Sequence, residues 1–237
     1  MDDPTIRTPN DLVKGAEKLS TVPFIFSRLN AAINSSRTSV GYISSIISQD
    51  SALTARLLRV VNSAFYGCPG RIDTISRAVI VVGTQQLRDL AVATTILNFF
   101  NHIPSRWVTL ESFWKHSIAC GIAARIIAGL GRASNVEKFF VAGILHDIGR
   151  LLMYQKIPGT ADAIFEKASA TGTFVTAVEQ EIMGFDHAVA GGALVRAWQL
   201  PTNLQECVSY HHTPSRATRY PYEAAVVHVA DILVEAL

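Results

Sequence analysis

Apolar residues recur at helical spacing along nearly the whole chain, and signals that start and stop helices separate these stretches. Asp50 or Ser51, for example, starts a stretch that places Leu53, Leu57 and Val61 on one side. Strand-like alternation is scarce. With 49% apolar and only 17% charged residues, the composition suits a compact helical protein and argues against extensive disorder. The sequence therefore predicts an all-α fold.

A polar, proline-containing segment at residues 101–106 is the best candidate for a junction between two lobes. No histidine precedes this segment, and all seven histidines lie between His102 and His228. We therefore expect one domain made of two parts. Residues 1–105 would form a helical N-terminal lobe, and residues 106–237 would form the lobe that carries the functional site.

Charge, cysteine content and the N-terminus indicate which partners and which cellular compartment to expect. The formal charge of +2 and the scattered basic residues do not indicate a nucleic-acid partner. Cys68, Cys120 and Cys207 are too widely spaced for a disulfide framework or a CxxC zinc site, which fits a reducing compartment. Met1–Pro4 lacks the features of a signal peptide, and no apolar run approaches the ~20 residues that cross a bilayer. We expect a cytoplasmic protein with no membrane partner, whose helical pattern at Leu237 continues in a longer native chain.

The pair His146–Asp147 closes the apolar run at residues 139–145. Polar groups carried out of a buried segment must find partners, because an unpaired polar group in a core costs several kcal/mol. A metal ion is one such partner, since a buried carboxylate needs a cation. An ordinary buried polar pair at a tight glycine turn is the alternative, and the two residues alone do not decide between them.

Other histidines lie in similarly apolar surroundings, and each has an ordinary structural explanation. His116 shares a helix face with apolar residues and can be a hydrogen-bonded core histidine. His187 follows Asp186, a candidate N-cap, which is typical of a surface histidine at the start of a helix. The pair His211–His212 ends a helix, where histidine often complements the helix dipole.

Asp231 lies in residues 224–234, a helical stretch that is apolar almost all round. An ionised carboxylate in such a central helix needs a charged partner. His228, one turn earlier, is one candidate partner, and a metal ion is the other.

The set as a whole favours a metal centre, because otherwise each position would need its own explanation. The candidate ligands are His116, His146, Asp147, His187, His211, His212 and Asp231. Six or seven ligands exceed what one ion needs, which indicates two divalent ions with Asp147 as the bridge. Imidazole and carboxylate donors without a thiolate favour iron or manganese, with zinc as a further option. Two such ions activate water and clamp a phosphate ester, which is hydrolytic chemistry.

The order H, HD, H, HH, D resembles the HD superfamily of metal-dependent phosphohydrolases. Several further segments resemble the HDOD family of bacterial signalling domains, and together they extend over essentially the whole chain. These segments are 49–58, 61–67, 75–78, 82–83, 113–117 and 145–150. The resemblance implies an all-helical protein in which a helical N-terminal lobe packs on an HD-like lobe. It also implies a role in signal transduction, without an established common reaction.

By the same resemblance, a first ion would be held by His116, His146, Asp147 and Asp231. A second ion would be held by Asp147, His187, His211 and His212. Asp147 would then be the central catalytic residue, and Lys115, Arg150 or Arg125 would be candidates to hold a substrate phosphate.

The related HD-GYP group hydrolyses cyclic di-GMP and carries a Gly-Tyr-Pro segment, where this chain has Arg219–Pro221. It also has a lysine at the position of Arg150, so the same reaction is not expected here. Two hypotheses follow. The first is a phosphohydrolase that acts on a nucleotide or another phosphorylated small molecule. The second is a non-catalytic regulatory module that binds a signalling protein or a nucleotide.

Overall fold

The computed structural model describes residues 6–15, 21–33, 35, 39–64, 66–67, 70–100 and 104–237, with the backbone alone at 21–23, 25–26 and 97–99. All regular structure in these ranges is helical, which confirms the all-α prediction. None of the described helices has the length and apolar character required to cross a membrane.

The described helices fall into two compact units, residues 19–99 and residues 1–18 with 100–237. The first unit contains α2 (Thr21–Ile33), α3 (Val40–Ser48), α4 (Ser51–Val61), α5 (Ile75–Val82) and α6 (Thr84–Phe99). The second contains α1 (Pro9–Val13), α7 (Leu110–Leu130), α8 (Glu137–Leu145), α9 (Ile148–Lys156), α10 (Pro158–Thr171), α11 (Val175–Met183), α12 (His187–Ala197), α13 (Thr202–Tyr210) and α14 (Pro221–Glu235).

The N-terminal helix α1 lies in a different unit from the one the sequence suggested. Leu12 and Val13 are buried, and α1 packs against α9 and α12. The Lys156 ammonium also donates to the carbonyl oxygen of Lys14 at 3.1 Å. The described residues 6–15 therefore group with 104–237, whereas the sequence analysis placed them in the lobe 1–105. Of the predicted junction, residues 101–103 lie outside the described ranges.

Side-chain caps set the starts of the helices in the first unit. Ser39 begins α3 and accepts from the Tyr42 backbone N–H at 3.1 Å. Asp50 begins α4 in the same way and accepts from the Leu53 N–H at 2.9 Å, which settles the choice left open between Asp50 and Ser51. Each cap satisfies a backbone donor that has no partner within its helix.

Glycines let three pairs of helices approach closely in the second unit, and these crossings place the functional residues. A Cβ atom at Gly143 of α8 would lie 2.7 Å from the Gly121 Cα atom of α7. One at Gly149 of α9 would lie 2.6 Å from the Gly191 backbone nitrogen of α12. Gly192 of α12 likewise packs on Ser209 of α13. Because no larger residue fits, the helix axes can come near enough for short side chains to meet across them.

Candidate metal centre

His146 and Asp147 form the junction between α8 and α9, and both side chains are almost fully buried. His146 Nδ1 lies 2.7 Å from the Gly143 carbonyl oxygen. A carbonyl oxygen can only accept, so Nδ1 donates and the lone pair stays on Nε2. His211, at the end of α13, has the same arrangement, with Nδ1 2.8 Å from the Val208 carbonyl oxygen. Both imidazoles thus leave the Nε2 lone pair available to a metal ion, as metal-binding histidines do.

The first group of donors joins helices α7, α8 and α14. It consists of His116, Cys120, His146 and Asp231, whose donor atoms all lie within 4.8 Å of one another. Asp231 Oδ1 is 3.1 Å from His116 Nε2 and 3.3 Å from His146 Nε2. The pairing of Asp231 with His228 is therefore wrong, since the two other histidines surround this carboxylate and His228 Nδ1 has no hydrogen-bond partner.

The second group joins the α8–α9 junction to α12 and the end of α13. It consists of Asp147, His187, His211 and His212, again with all donor atoms within 4.8 Å. Asp147 Oδ1 is 3.0 Å from His187 Nε2 and 3.6 Å from His211 Nε2. His187 is fully buried, so it is not a surface histidine, although Asp186 does cap its helix.

Three buried donor atoms in these groups have ion-pair contacts of 3.0 to 3.6 Å but make no hydrogen bond: His146 Nε2, Asp147 Oδ1 and His211 Nε2. Buried polar atoms are normally satisfied, and leaving one unpaired costs about 1–3 kcal/mol. Here the three atoms lie close together, beside the lone pairs of the other donor atoms in the two groups. A divalent cation is the partner that nitrogen and carboxylate donors in this arrangement would share, so the residues fit a metal centre.

The surrounding charges keep Asp147 ionised. Burial alone would raise the pKa of Asp147, but the Arg150 guanidinium and the neighbouring histidines outweigh it and hold the pKa well below the usual range. Arg150 Nη1 lies 3.1 Å from Asp147 Oδ2. The two oxygens of Asp147 thus face different ways, Oδ2 toward Arg150 and Oδ1 toward His187.

Glu179 of α11 is a buried carboxylate that the sequence analysis missed. Its Oε2 atom accepts from the His187 backbone N–H at 2.9 Å and from His187 Nδ1 at 2.7 Å. Burial would lower the pKa of His187, but Glu179 and Asp147 outweigh it and raise that pKa to about 9. Since Glu179 accepts the Nδ1 proton, Nε2 faces Asp147 and can carry a second proton or bind a metal ion in its place. Nothing local in the sequence distinguishes Glu179 from the exposed Glu181 two residues later.

His212 is the half-buried member of the second group. Its Nε2 atom lies 3.0 Å from His187 Nε2. Burial, followed by the proximity of His211 and His187, lowers the pKa of His212 to about 2, so this imidazole is neutral at physiological pH.

Cys120 was also missed as a site residue. The signal was its position one helical turn after His116. Its Sγ atom lies 3.4 Å from His116 Nε2 and 3.9 Å from Asp231 Oδ1. Burial and the carboxylates of Asp231 and Asp147 raise the pKa of the Cys120 thiol.

The three basic residues suggested for phosphate binding occupy different surroundings. Arg150 contacts Asp147, as described above. Lys115 is exposed and pairs with Glu111 at 2.7 Å, and Arg125 pairs with the buried Glu137 at 2.8 Å. Among the ion pairs of the described residues, Arg150 is the one of these three that contacts a candidate ligand.

A cleft of about 630 Å³ lies beside His212, which forms part of its wall. Exposed Arg196 and Arg216 supply positive charge along this cleft, and the exposed Phe174 ring supplies an apolar surface. The cleft therefore combines two arginines, the Asp186 carboxylate and an apolar ring with direct proximity to one candidate ligand.

The family model of the HDOD domain matches residues 19–214. The chain belongs to the HDOD family. This confirms the resemblance drawn from its motifs. A proposed phosphohydrolase from Shewanella amazonensis SB2B has a solved structure that matches this HDOD chain with a TM-score of 0.77 and 28% identity, covering 94% of this chain and 80% of that one.

A second solved structure supports the fold alone. An HDOD domain protein with unknown function from Geobacter sulfurreducens matches with a TM-score of 0.76 and 24% identity, over 98% of this chain and 78% of the other. Among curated proteins, an uncharacterized protein of Treponema pallidum (strain Nichols) is 24% identical over 227 residues. That match covers 94% of this HDOD chain and 44% of the relative, so the chain spans less than half of the relative's length.

Proposed function

We propose that this HDOD chain is a metal-dependent phosphohydrolase of bacterial signal transduction. The observation that carries the proposal is the pair of adjacent donor groups, with three buried donor atoms that make no hydrogen bond. The similarity to a proposed phosphohydrolase adds support. Bound divalent ions would supply an activated water and stabilise the charge of a phosphate ester during hydrolysis.

Each residue has a role that follows from its position. His116, His146 and Asp231 would hold one ion, and His187, His211 and His212 the other. Asp147 would contact both, because its ionised carboxylate faces His146 with Oδ2 and His187 with Oδ1. We propose iron or manganese for the second group, whose donors are all nitrogen and oxygen.

The cleft beside His212 is where we propose that the substrate binds. Arginine binds phosphate through charge-assisted, often bidentate hydrogen bonds, which favours Arg196 and Arg216 as the anchors. A nucleotide or another phosphorylated small molecule fits this combination of arginines and the Phe174 ring. Arg150 would orient Asp147, and Lys115 stays a prediction as a contact at the exposed side of His116.

The test is turnover of a panel of phosphomonoesters, nucleotides and cyclic dinucleotides by the chain loaded with manganese or iron. We expect metal-dependent hydrolysis of at least one substrate. Asp147→Asn should lose both this hydrolysis and the bound metal. Arg216→Ala should raise KM about tenfold to a hundredfold, the value of one charge-assisted hydrogen bond of about 1.5–3 kcal/mol, without loss of metal. Arg219→Ala is the matched control, because Arg219 is also exposed and lies outside the cleft lining.

A second function, a non-catalytic regulatory module, is favoured by the contact between Arg150 and Asp147. The guanidinium occupies one oxygen of the carboxylate that would have to bridge two ions. In this case the site would bind a nucleotide or a signalling protein without turnover. A fully metal-loaded chain that hydrolyses nothing in the panel would refute the phosphohydrolase and leave this function. For either function we propose the bacterial cytoplasm, supported by the free thiols of Cys120 and Cys207.

A further inference from the structure

We propose that Cys120 is a metal ligand of the first group, bound as a thiolate beside His116, His146 and Asp231. The two metal sites would then differ in chemistry. The first would have two nitrogens, one sulfur and the carboxylates of Asp231 and Asp147, and the second only nitrogen and oxygen donors. This inference rests on the metal centre of the proposed function, and it does not depend on hydrolysis.

The spacing of the donor atoms carries the inference. Cys120 Sγ is 3.4 Å from His116 Nε2 and 3.9 Å from Asp231 Oδ1, and the latter two atoms are 3.1 Å apart. Zinc–donor bonds of about 2.0–2.3 Å place the ligands of a tetrahedral ion roughly 3.3–3.7 Å from one another. The three measured separations fall close to this range, so the sulfur lies where a further ligand of such an ion belongs.

A second observation points to an ion at the same place. His146 is fully buried, and its Nε2 atom has no hydrogen-bond partner. Because the other ring nitrogen donates to Gly143, the Nε2 lone pair is directed into the group that contains Cys120 Sγ. A thiol that only filled space would not explain this unsatisfied nitrogen.

Cys207 shows what a buried cysteine without this role is like. It is as buried as Cys120, but it belongs to neither group of candidate ligands among the described residues. The two thiols therefore offer a comparison within one protein, with similar burial and different neighbours.

Binding would exchange a water ligand of the hydrated ion, which is released to solvent, for the Cys120 sulfur. The S–H bond of Cys120 breaks, its proton leaves to bulk water, and the sulfur lone pair forms the bond to the divalent ion. No atom changes oxidation state. Because thiolate is a soft ligand, the first site would prefer zinc or ferrous iron over manganese or magnesium, and the two sites could hold different metals.

Cobalt(II) substitution tests the proposal directly. The full chain is stripped with a chelator and loaded with cobalt, metal content is measured, and the absorption spectrum is recorded. Thiolate ligation gives an intense near-ultraviolet charge-transfer band that nitrogen and oxygen ligands do not give. We expect this band in the wild type and in Cys207→Ala, and its loss in Cys120→Ala. Zinc affinity of Cys120→Ala should fall about a hundredfold, the upper end of what even indirect partners of metal ligands contribute.

The outcomes separate this inference from the metal centre itself. Wild-type protein that holds cobalt, loses it in Asp147→Asn and shows no thiolate band would overturn the role of Cys120 alone. A band that persists in Cys120→Ala would do the same. If no variant or wild-type protein holds cobalt, both the thiolate ligand and the metal centre are wrong. The spectrum of the wild type decides the question even if Cys120→Ala folds poorly.

Discussion

Gly149 lies where α9 crosses α12, and whether Gly149→Ala raises or lowers the free energy of unfolding tests how closely the two helices approach. A Cβ atom at Gly149 would collide with the His187 carbonyl oxygen, lie 2.6 Å from the Gly191 nitrogen and 3.0 Å from the His187 carbonyl carbon. All of these are backbone atoms, so no side-chain rotation relieves the clash. In Gly149→Ala the two helices must therefore move apart.

The expected change in the free energy of unfolding combines two opposing effects. Overpacking of a core costs about 1–3 kcal/mol, and a clash with backbone lies at the upper end, near 3 kcal/mol. Alanine in a helix is favoured over glycine by up to about 1 kcal/mol. Gly149→Ala should therefore lower the free energy of unfolding by about 2 kcal/mol. The separation also carries the His187 backbone, and with it Nε2, away from Asp147 Oδ1, now 3.0 Å distant, so metal affinity should fall as well.

Gly129→Ala is the matched control for this measurement. Gly129 lies in the last turn of α7 and is exposed, and nothing lies within 4 Å of its added Cβ atom. This variant gains the higher helix propensity of alanine without the clash, so its free energy of unfolding should rise by up to about 1 kcal/mol. Urea unfolding of the metal-free protein, followed by tryptophan fluorescence, reports on the right unit, because all three tryptophans lie in residues 100–237.

Two results would contradict the close approach of α9 and α12. If Gly149→Ala is as stable as the wild type, or gains stability as Gly129→Ala does, then α9 and α12 do not approach as closely as described. A stable Gly149→Ala that binds metal with unchanged affinity would also show that the crossing does not position His187.

Three further changes test other parts of the structure. Glu206→Gln should cost about 1–3 kcal/mol in urea unfolding, because the carboxylate accepts from Thr218 Oγ1 and from the backbone N–H groups of Arg219 and Tyr220. Burial alone would raise the pKa of Glu206, but these hydrogen bonds outweigh it and lower the pKa below 4.5, so the stabilisation is present above pH 4.5 and lost as pH falls through the lowered value. The difference between wild type and Glu206→Gln should shrink in acid, and a constant difference from pH 7 to pH 2 would contradict this. Glu179→Gln should weaken metal binding by about tenfold to a hundredfold in calorimetry, because the carboxylate orients His187, and an unchanged affinity would remove that role. Thr109→Ala should cost about 1 kcal/mol in the same unfolding assay, since Thr109 Oγ1 accepts from the Ser112 N–H at 3.0 Å, and a neutral effect would show that this cap adds nothing.

Much of the fold was accessible from the sequence because helix formation is governed by local patterns. The spacing of Leu53, Leu57 and Val61 predicts the buried side of α4, and all three are buried. The caps at Ser39 and Asp50 are equally local, since each satisfies a backbone donor three residues away. The position of α1 was not accessible, because its docking joins residues about 140 positions apart for α9 and about 180 for α12.

The sequence by itself determined which residue types are present for chemistry: a series of histidines and aspartates in apolar surroundings, with His146–Asp147 at its centre. Only the tertiary structure decided which atoms meet. It set Asp231 against His116 and His146, rather than His228. It also brought in Glu179 and Cys120, two residues whose local sequence is ordinary. The physical reason is that side-chain distances depend on how helices cross, and these crossings are set by close backbone contacts at glycines, which periodicity along a single helix does not encode.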